Sequence, residues 1–172
     1  MDIYKSEKNW LEKVADIIPG LRSYRSHEHR RDTDKRLRDY IATKIDALRK
    51  EVDDVKLDLT NEKKIDLLDD VDLATRKLQK LADSVRHASY GYTGVFDQVR
   101  MRDKELDLLY TYDIQIFEGI QTLEDDTGLF TSSDVSEDTI KKYIRSVRGM
   151  DKLIQKRKTI FDNPLEQSEI ES

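Results

Sequence analysis

The sequence contains no cysteine and, among its 172 residues, only two prolines and six glycines. Without cysteine, disulfide bonds, thiolate metal sites and cysteine nucleophiles are excluded. The scarcity of proline and glycine argues against a β-protein, which would need many turns. No apolar run approaches the ~20 residues of a membrane-spanning helix. The composition is therefore typical of an all-α chain with long helices.

Charged residues make up 39% of the sequence and hydrophobic residues 37%, and the formal net charge is -5. The apolar residues recur at helical spacing, which distinguishes the chain from a disordered one. An acidic chain has no overall electrostatic footprint for nucleic acid, so we expect no nucleic-acid partner. Lys and Glu interrupt the N-terminus, which therefore lacks a signal-peptide core. We expect a cytoplasmic location, with attachment to a membrane surface as an alternative.

Residues 5–18 form a short amphipathic segment that Pro19-Gly20 ends. Its apolar stripe is the candidate face for a membrane or a partner and consists of Trp10, Leu11, Val14, Ile17 and Ile18. Such a stripe more often packs on its own bundle than in a membrane interface. We expect the former.

Four longer helices follow. The first begins near Ser26 and carries a heptad seam of Leu37, Ile41, Ile45, Leu48, Val52, Val55 and Leu59. A break at Thr60-Asn61 precedes the second, whose seam is Ile65, Leu68, Val71, Thr75, Leu78, Ala82, Val85 and Ser89. The third helix covers roughly 102–125 and buries Leu106, Leu109, Ile116, Phe117, Ile120 and Leu123. After the loop "DDTGLFTSSD", a capping box of Asp134 and Glu137 opens the fourth, which buries Ile140, Tyr143, Ile144, Val147, Met150, Ile154 and Phe161.

Short connections between these helices predict an elongated antiparallel four-helix bundle, built from a long helical hairpin and two further helices. The domains are the N-terminal helix (1–20), the bundle (21–162) and a disordered acidic tail (163–172). At ~1.5 Å per residue the first long helix would measure about 50 Å, which favours a rod or a self-association surface.

The stretch "RSYRSHEHRRDTDKRLRDY" has no apolar residue between Tyr24 and Leu37. A hairpin turn at residues 60–61 would place it opposite "VRHASYGYTGVFDQ", with Asp34 facing His87. This juxtaposition defines a predicted polar cluster of His27, Glu28, Arg30, Arg31, Asp34, Lys35, Arg38, His87, Tyr90, Tyr92 and Asp97.

Three interpretations of the polar cluster are open. The favoured one is a structural layer of Arg–Asp pairs that closes one end of the bundle. A second is an anion site, because arginine forks suit phosphate or carboxylate. A metal site is least favoured, since "HEH" is not the i, i+4 pattern of helical zinc sites and arginine repels cations. We assign no catalytic residue, metal or cofactor, because no nucleophile elbow or glycine-rich phosphate loop is present.

Charge is also segregated along the chain. The stretches 46–72 and 97–126 are acidic, whereas the polar side of the fourth helix is basic, with Lys141, Lys142, Arg145, Arg148, Lys152, Lys156, Arg157 and Lys158. Charge complementarity between helices of one chain or of two subunits is favoured over an external ligand.

Three local motifs are an IPG-x-x-x-Y segment, an E-x-R-R-x-x-D-K-x-L-R run and a Y-G-Y-x-G-x-F-D loop. They comprise Ile18, Pro19, Gly20, Tyr24, Glu28, Arg30, Arg31, Asp34, Lys35, Leu37, Arg38, Tyr90, Gly91, Tyr92, Gly94, Phe96 and Asp97. In these motifs the chain resembles an uncharacterised group of bacterial and archaeal helical proteins, over roughly residues 10 to 125. The resemblance implies a shared fold and carries no activity with it.

These observations predict a non-enzymatic helical structural or interaction protein that self-associates or binds a protein partner. The first alternative is a peripheral membrane scaffold that uses residues 5–18. The second is an anion- or metal-binding enzyme whose site lies at the 27–38/86–97 end of the bundle.

Overall fold

The computed structural model describes the backbone of residues 30–87 and 103–162, with side chains in 35–87 and 111–159. Four α-helices and no strand occur in these residues. They are α1 (Arg30–Asn61), α2 (Leu68–Arg86), α3 (Asp103–Ser132) and α4 (Glu137–Asp162), with a 3₁₀ helix at Ile65–Leu67. The predicted all-α helical bundle is confirmed. The predicted helix at 5–18, the start of the first long helix near Ser26 and the tail at 163–172 lie outside the described residues.

The helices form two antiparallel hairpins, α1–α2 and α3–α4, which pack side by side. Tyr40 on α1 stacks on Phe117 on α3, and further along both helices Lys44 donates a hydrogen bond to Glu124. Because the residue numbers increase in the same direction along both helices, α1 runs parallel to α3. Helix α2 packs on α4 in the same way. The order around the bundle is therefore α1, α2, α4, α3. Both hairpin turns lie at one end, the turn end, and the opposite end is called the open end.

The core follows the predicted seams closely. In α1 all seven seam residues are buried, and in α2 Ala74 and Leu81 join the predicted Val71, Thr75, Leu78, Ala82 and Val85. The predicted core residues of α3 and α4 that have described side chains are buried as well. Fully burying one such aliphatic or aromatic side chain contributes about 1.5–3 kcal/mol. Two predicted seam residues of the second helix differ: Ile65 lies in the 3₁₀ helix and is 63% exposed, and Leu68 is half-buried, while the predicted Ser89 lies outside the described residues.

The connection between α1 and α2 is longer than predicted. Helix α1 continues through Asn61, so Asn61 does not cap the second helix, and Lys63 takes a left-handed φ of 61° in the turn that follows. The observed contacts between α1 and α2 lie three to eleven residues from the predicted register, which is about one to three helical turns. Lys56 meets Asp72, and the C-terminal end of α2 lies beside Arg38 instead of Asp34.

The α3–α4 turn also differs from its prediction. Helix α3 runs to Ser132 and not to 125, because Thr127 and Phe130 continue its buried side. The capping pair of α4 is Ser136 with Thr139, and not Asp134 with Glu137. The Thr139 N–H donates to Ser136 Oγ (3.3 Å) and the Ser136 N–H donates to Thr139 Oγ1 (2.9 Å). Asp134 instead accepts a hydrogen bond from Lys64 across the two turns.

Candidate functional site

Only part of the predicted polar cluster falls within the described residues. Lys35 and His87 are exposed, and Arg38 is half-buried. Arg38 donates from Nη1 to the Arg86 carbonyl at 3.2 Å, which satisfies a backbone acceptor at the end of α2. Arg30, Arg31 and Asp34 lie on α1, where the structure describes the backbone alone. The remaining members lie outside the described residues, as does the candidate membrane face: His27, Glu28, Tyr90, Tyr92 and Asp97, and Trp10, Leu11, Val14, Ile17 and Ile18.

An ion pair joins α1 to α2 at Asp46, about two helical turns after Arg38. Arg86 Nη2 donates to Asp46 Oδ2 at 2.6 Å, and Arg86 Nη1 lies 3.6 Å from Asp83 Oδ1. The hydrogen bond from Asp46 raises the pKa of the Arg86 guanidinium. A cation in the last turn of α2 also interacts favourably with the negative end of the helix dipole. This contact fixes the register of the hairpin near the open end.

A second ion pair joins α3 to α4 at the open end, and it is more buried. The Arg157 guanidinium donates from Nε and Nη2 to the two carboxylate oxygens of Asp113, with Nη2 at 3.4 Å from Oδ2. The side chain of Asp113 is 1% exposed and that of Arg157 is 12% exposed. A bidentate geometry of this kind gives directional strength that a single contact lacks. The pair holds the start of α3 against the end of α4.

At the turn end the buried polar contact is uncharged. Tyr143 Oη and Thr127 Oγ1 lie 2.7 Å apart, and the Thr127 hydroxyl donates to the Leu123 carbonyl at 2.7 Å. The Tyr143 hydroxyl is therefore the donor to Thr127. Burial raises the pKa of Tyr143 to about 12, so the phenol is neutral at physiological pH. Phe130 stacks on Tyr143 with ring centroids 4.9 Å apart.

These contacts show how the interior uses its polar groups. The three buried polar residues of the described part, Thr75, Asp113 and Thr127, each have a hydrogen-bond partner. No group of three or more His, Asp or Glu side chains in the described ranges is arranged to hold a metal ion. Sequence reasoning grouped Arg157 with the basic surface and missed Asp113, so the most buried ion pair was not predicted.

The outer side of α2 and α4 carries a continuous basic surface, called the basic face. It consists of Lys77 and Lys80 on α2 and of Lys142, Arg145, Arg148, Lys152 and Lys156 on α4. The α4 members recur every three or four residues, so they share one side of the helix. All but the half-buried Lys77 are exposed, and none forms an ion pair within the described residues. Acidic residues on this side lie mostly in the first turns of the two helices, as Asp69, Asp70 and Asp138.

The outer side of α1 and α3 is acidic. The acidic face consists of Glu51, Asp54 and Asp58 on α1 and of Glu118 and Asp125 on α3, all exposed and without an ion pair among the described residues. Residues 105–140 contain no Lys or Arg. Lys44, which borders this face, is already paired with Glu124 at 2.7 Å. Because α1 packs on α3 and α2 on α4, the acidic and basic faces lie on opposite sides of the bundle.

Exposed apolar side chains form no comparable surface. The large ones in the described ranges are Leu57, Ile65, Leu73 and Leu129, and each lies on a different element. Single exposed leucines of this kind are ordinary on protein surfaces. Charge, and not apolar area, therefore distinguishes the described surface.

A scan against protein-family models, a search of curated proteins and a search of solved structures each found no match. None of the described helices is both long enough and apolar enough to cross a membrane. A function for the chain must therefore be argued from its own geometry and charge.

Proposed function

We propose that the chain is a non-enzymatic helical structural protein that self-associates, with a cytoplasmic location. The observation that carries this proposal is the pair of opposite charged faces. Each face presents several side chains of one sign that have no ion-pair partner among the described residues. A second copy of the chain offers each face its complement.

Simple electrostatics supports an association of modest strength. An exposed ion pair contributes about 0.2–1 kcal/mol, so five such pairs together supply roughly 1–5 kcal/mol. Salt screens exposed charges with a Debye length of about 10 Å at 0.1 M. The proposed assembly is therefore weak, concentration-dependent and sensitive to ionic strength.

The interior supports a structural role for the fold. Bidentate Asp113–Arg157 and the Asp46–Arg86 pair join neighbouring helices near the open end. Lys64 joins the two turns at the other end through Asp134. Each hairpin therefore has an ion pair between its helices near the open end, and an exposed ion pair joins the two turns at the other end.

Sedimentation velocity of the full chain tests the proposal. From about 0.05 to 1 mM protein we expect the sedimentation coefficient to rise at about 0.05 M salt, because an association of roughly 1–5 kcal/mol corresponds to a dissociation constant of about 0.2 mM or weaker and is screened less at low salt. At about 0.5 M salt we expect the monomer value throughout. A monomer at every concentration in low salt would contradict self-association.

A further inference from the structure

We infer that the basic face of one copy docks on the acidic face of the next, so that the assembly is an open stack of bundles. This inference rests on the proposed self-association and adds the surface through which it occurs. It concerns the α2/α4 side of one molecule and the α1/α3 side of its neighbour.

The placement of the two faces decides the symmetry. In a two-fold dimer each patch meets its own copy, which would bring Arg145 and Lys152 against the same cations. Like charges in an interface repel one another. The acidic face has the same difficulty with Asp54 and Asp125. A contact between unlike faces avoids both conflicts, and it leaves one free face at each end of the pair.

The two faces also match in length. On α4 the basic side chains extend from Lys142 to Lys156, about 21 Å along the axis at 1.5 Å per residue. Because Tyr40 stacks on Phe117, Glu118 on α3 lies at about the same height along the bundle axis as Ile41 on α1. The acidic face therefore extends from that level to Asp58, about 25 Å.

The area available is that of a weak interface. Helix α2 has 19 residues, which corresponds to a length of about 28 Å, and two adjacent helices are together about 20 Å wide. The product, roughly 560 Å² per molecule, falls below the ~800 Å² per partner of standard stable complexes. An assembly that forms only at concentrations of about 0.2 mM and above fits this size and the roughly 1–5 kcal/mol from exposed ion pairs.

A second copy of the chain accounts for both charged faces, whereas a lipid or phosphate surface accounts for one. A lipid or phosphate surface would engage the basic face and leave the acidic face unpaired. It would also repel a chain of net charge -5 in most orientations. Another copy satisfies both faces at once.

Two variants of the full chain test the docking. The basic-face variant carries Arg145→Gln with Lys152→Gln, and the acidic-face variant carries Asp54→Asn with Asp125→Asn. Because these residues are exposed, all four substitutions leave the core intact, which circular dichroism verifies. We expect each variant alone to self-associate about tenfold more weakly than the unmodified chain. A control with Lys63→Gln and Asp66→Asn, which removes two exposed charges from the connection between α1 and α2, outside both faces, keeps the unmodified affinity.

Mixing provides the sharper readout. Each variant retains one intact face, so an equimolar mixture forms one-to-one pairs and nothing larger, as measured by sedimentation equilibrium or native mass spectrometry. If the unmodified chain associates but the mixture gives no such pairs, the docking inference is wrong while self-association stands. If the unmodified chain stays monomeric, both fail.

Sedimentation with vesicles of phosphatidylserine and phosphatidylcholine tests whether the basic face binds an anionic membrane surface instead of a second copy. Should the chain sediment with them through Arg145 and Lys152 while its self-association ignores both variants, the basic face serves a membrane surface and the inference is overturned. Absence of vesicle binding together with one-to-one pairs supports the stack.

Discussion

Asp113 and Arg157 occupy positions where the helical repeat calls for apolar side chains. Asp113 lies four residues after Leu109 and three before Ile116, and Arg157 lies three residues after Ile154. Removing two charges from water costs several kcal/mol per ion, and the bidentate contact offsets this cost. We therefore expect the pair to contribute more to register than to net stability, because a shifted pairing would separate the two charges.

Loss of one partner should consequently be costly. We expect Asp113→Ala to lower the free energy of unfolding by about 3 kcal/mol, because it leaves Arg157 without its carboxylate. Arg157→Ala should cost at least as much, since Asp113 is 1% exposed and cannot reach water. Urea unfolding followed by circular dichroism measures both changes.

The matched control is Asp125→Ala, which removes an exposed carboxylate from the same helix and should change stability by less than about 0.5 kcal/mol. The double variant Asp113→Leu with Arg157→Met should recover most of the loss, because apolar side chains of similar volume remove both buried charges. If Asp113→Ala and Asp125→Ala behave alike, the ion pair contributes nothing.

At this scale the sequence carried a signal that was missed. An acid on the seam of one helix and an arginine on the seam of the next, equally far from the turn between them, predict a buried pair. The predicted polar cluster stays a prediction, since of its members the structure describes the side chains of Lys35, Arg38 and His87 alone. Arg38 bonds backbone at the end of α2, a contact that residue type alone does not reveal.

Two glycines in α3 show how a helix meets its neighbour. A Cβ added at Gly119 would lie 2.9 Å from Met150 Sδ on α4, whereas nothing lies within 4 Å of a Cβ at Gly128. The first glycine therefore permits close approach of α3 and α4. The second only adds conformational freedom to the unfolded chain.

Alanine substitutions separate these two roles. We expect Gly128→Ala to raise the free energy of unfolding by up to about 1 kcal/mol, the difference in helix propensity between alanine and glycine. Gly119→Ala gains the same propensity but displaces the flexible Met150 side chain, so it should be less stable than Gly128→Ala by about 1 kcal/mol. Thermal unfolding of the two single variants measures the difference. Equal stabilisation would show that a Cβ at position 119 fits between α3 and α4 at no cost.

The four long helices of the described ranges, and the side that each one buries, were predictable, because apolar periodicity reports both. Their ends were not. The turn after α1 depends on a left-handed residue, and Lys63 carries none of the usual glycine or asparagine signature. The cap of α4 uses Ser136 and Thr139, whose hydroxyls compete with the equally suitable Asp134 and Glu137.

The arrangement of the whole bundle places sequential helices α2 and α3 on a diagonal. Short loops identify α1–α2 and α3–α4 as antiparallel neighbours, but periodicity does not show which helix of one hairpin packs on which helix of the other. The contacts of Tyr40 with Phe117 and of Lys44 with Glu124 decide it. The segregation of charge along the sequence becomes two opposite faces only in this order.

Cross-linking checks the order, because the chain has no cysteine of its own. In dilute protein at high salt we expect Lys44→Cys with Glu124→Cys to join readily through a short bis-maleimide, since the native side chains meet at 2.7 Å. Lys44→Cys with Arg148→Cys, which lie on the diagonal pair α1 and α4, should remain unlinked. Mass spectrometry of the intact chain scores both, and the reverse pattern would place α4 beside α1.

Opposite faces of opposite sign give the bundle an electric dipole moment at right angles to its helices. The net charge of -5 is a sum over the whole chain, whereas a flat charged surface contacts one face of the bundle at a time. In low salt we expect a cation exchanger to bind the α2/α4 side and an anion exchanger to bind the α1/α3 side, so that the same molecule is retained by either resin.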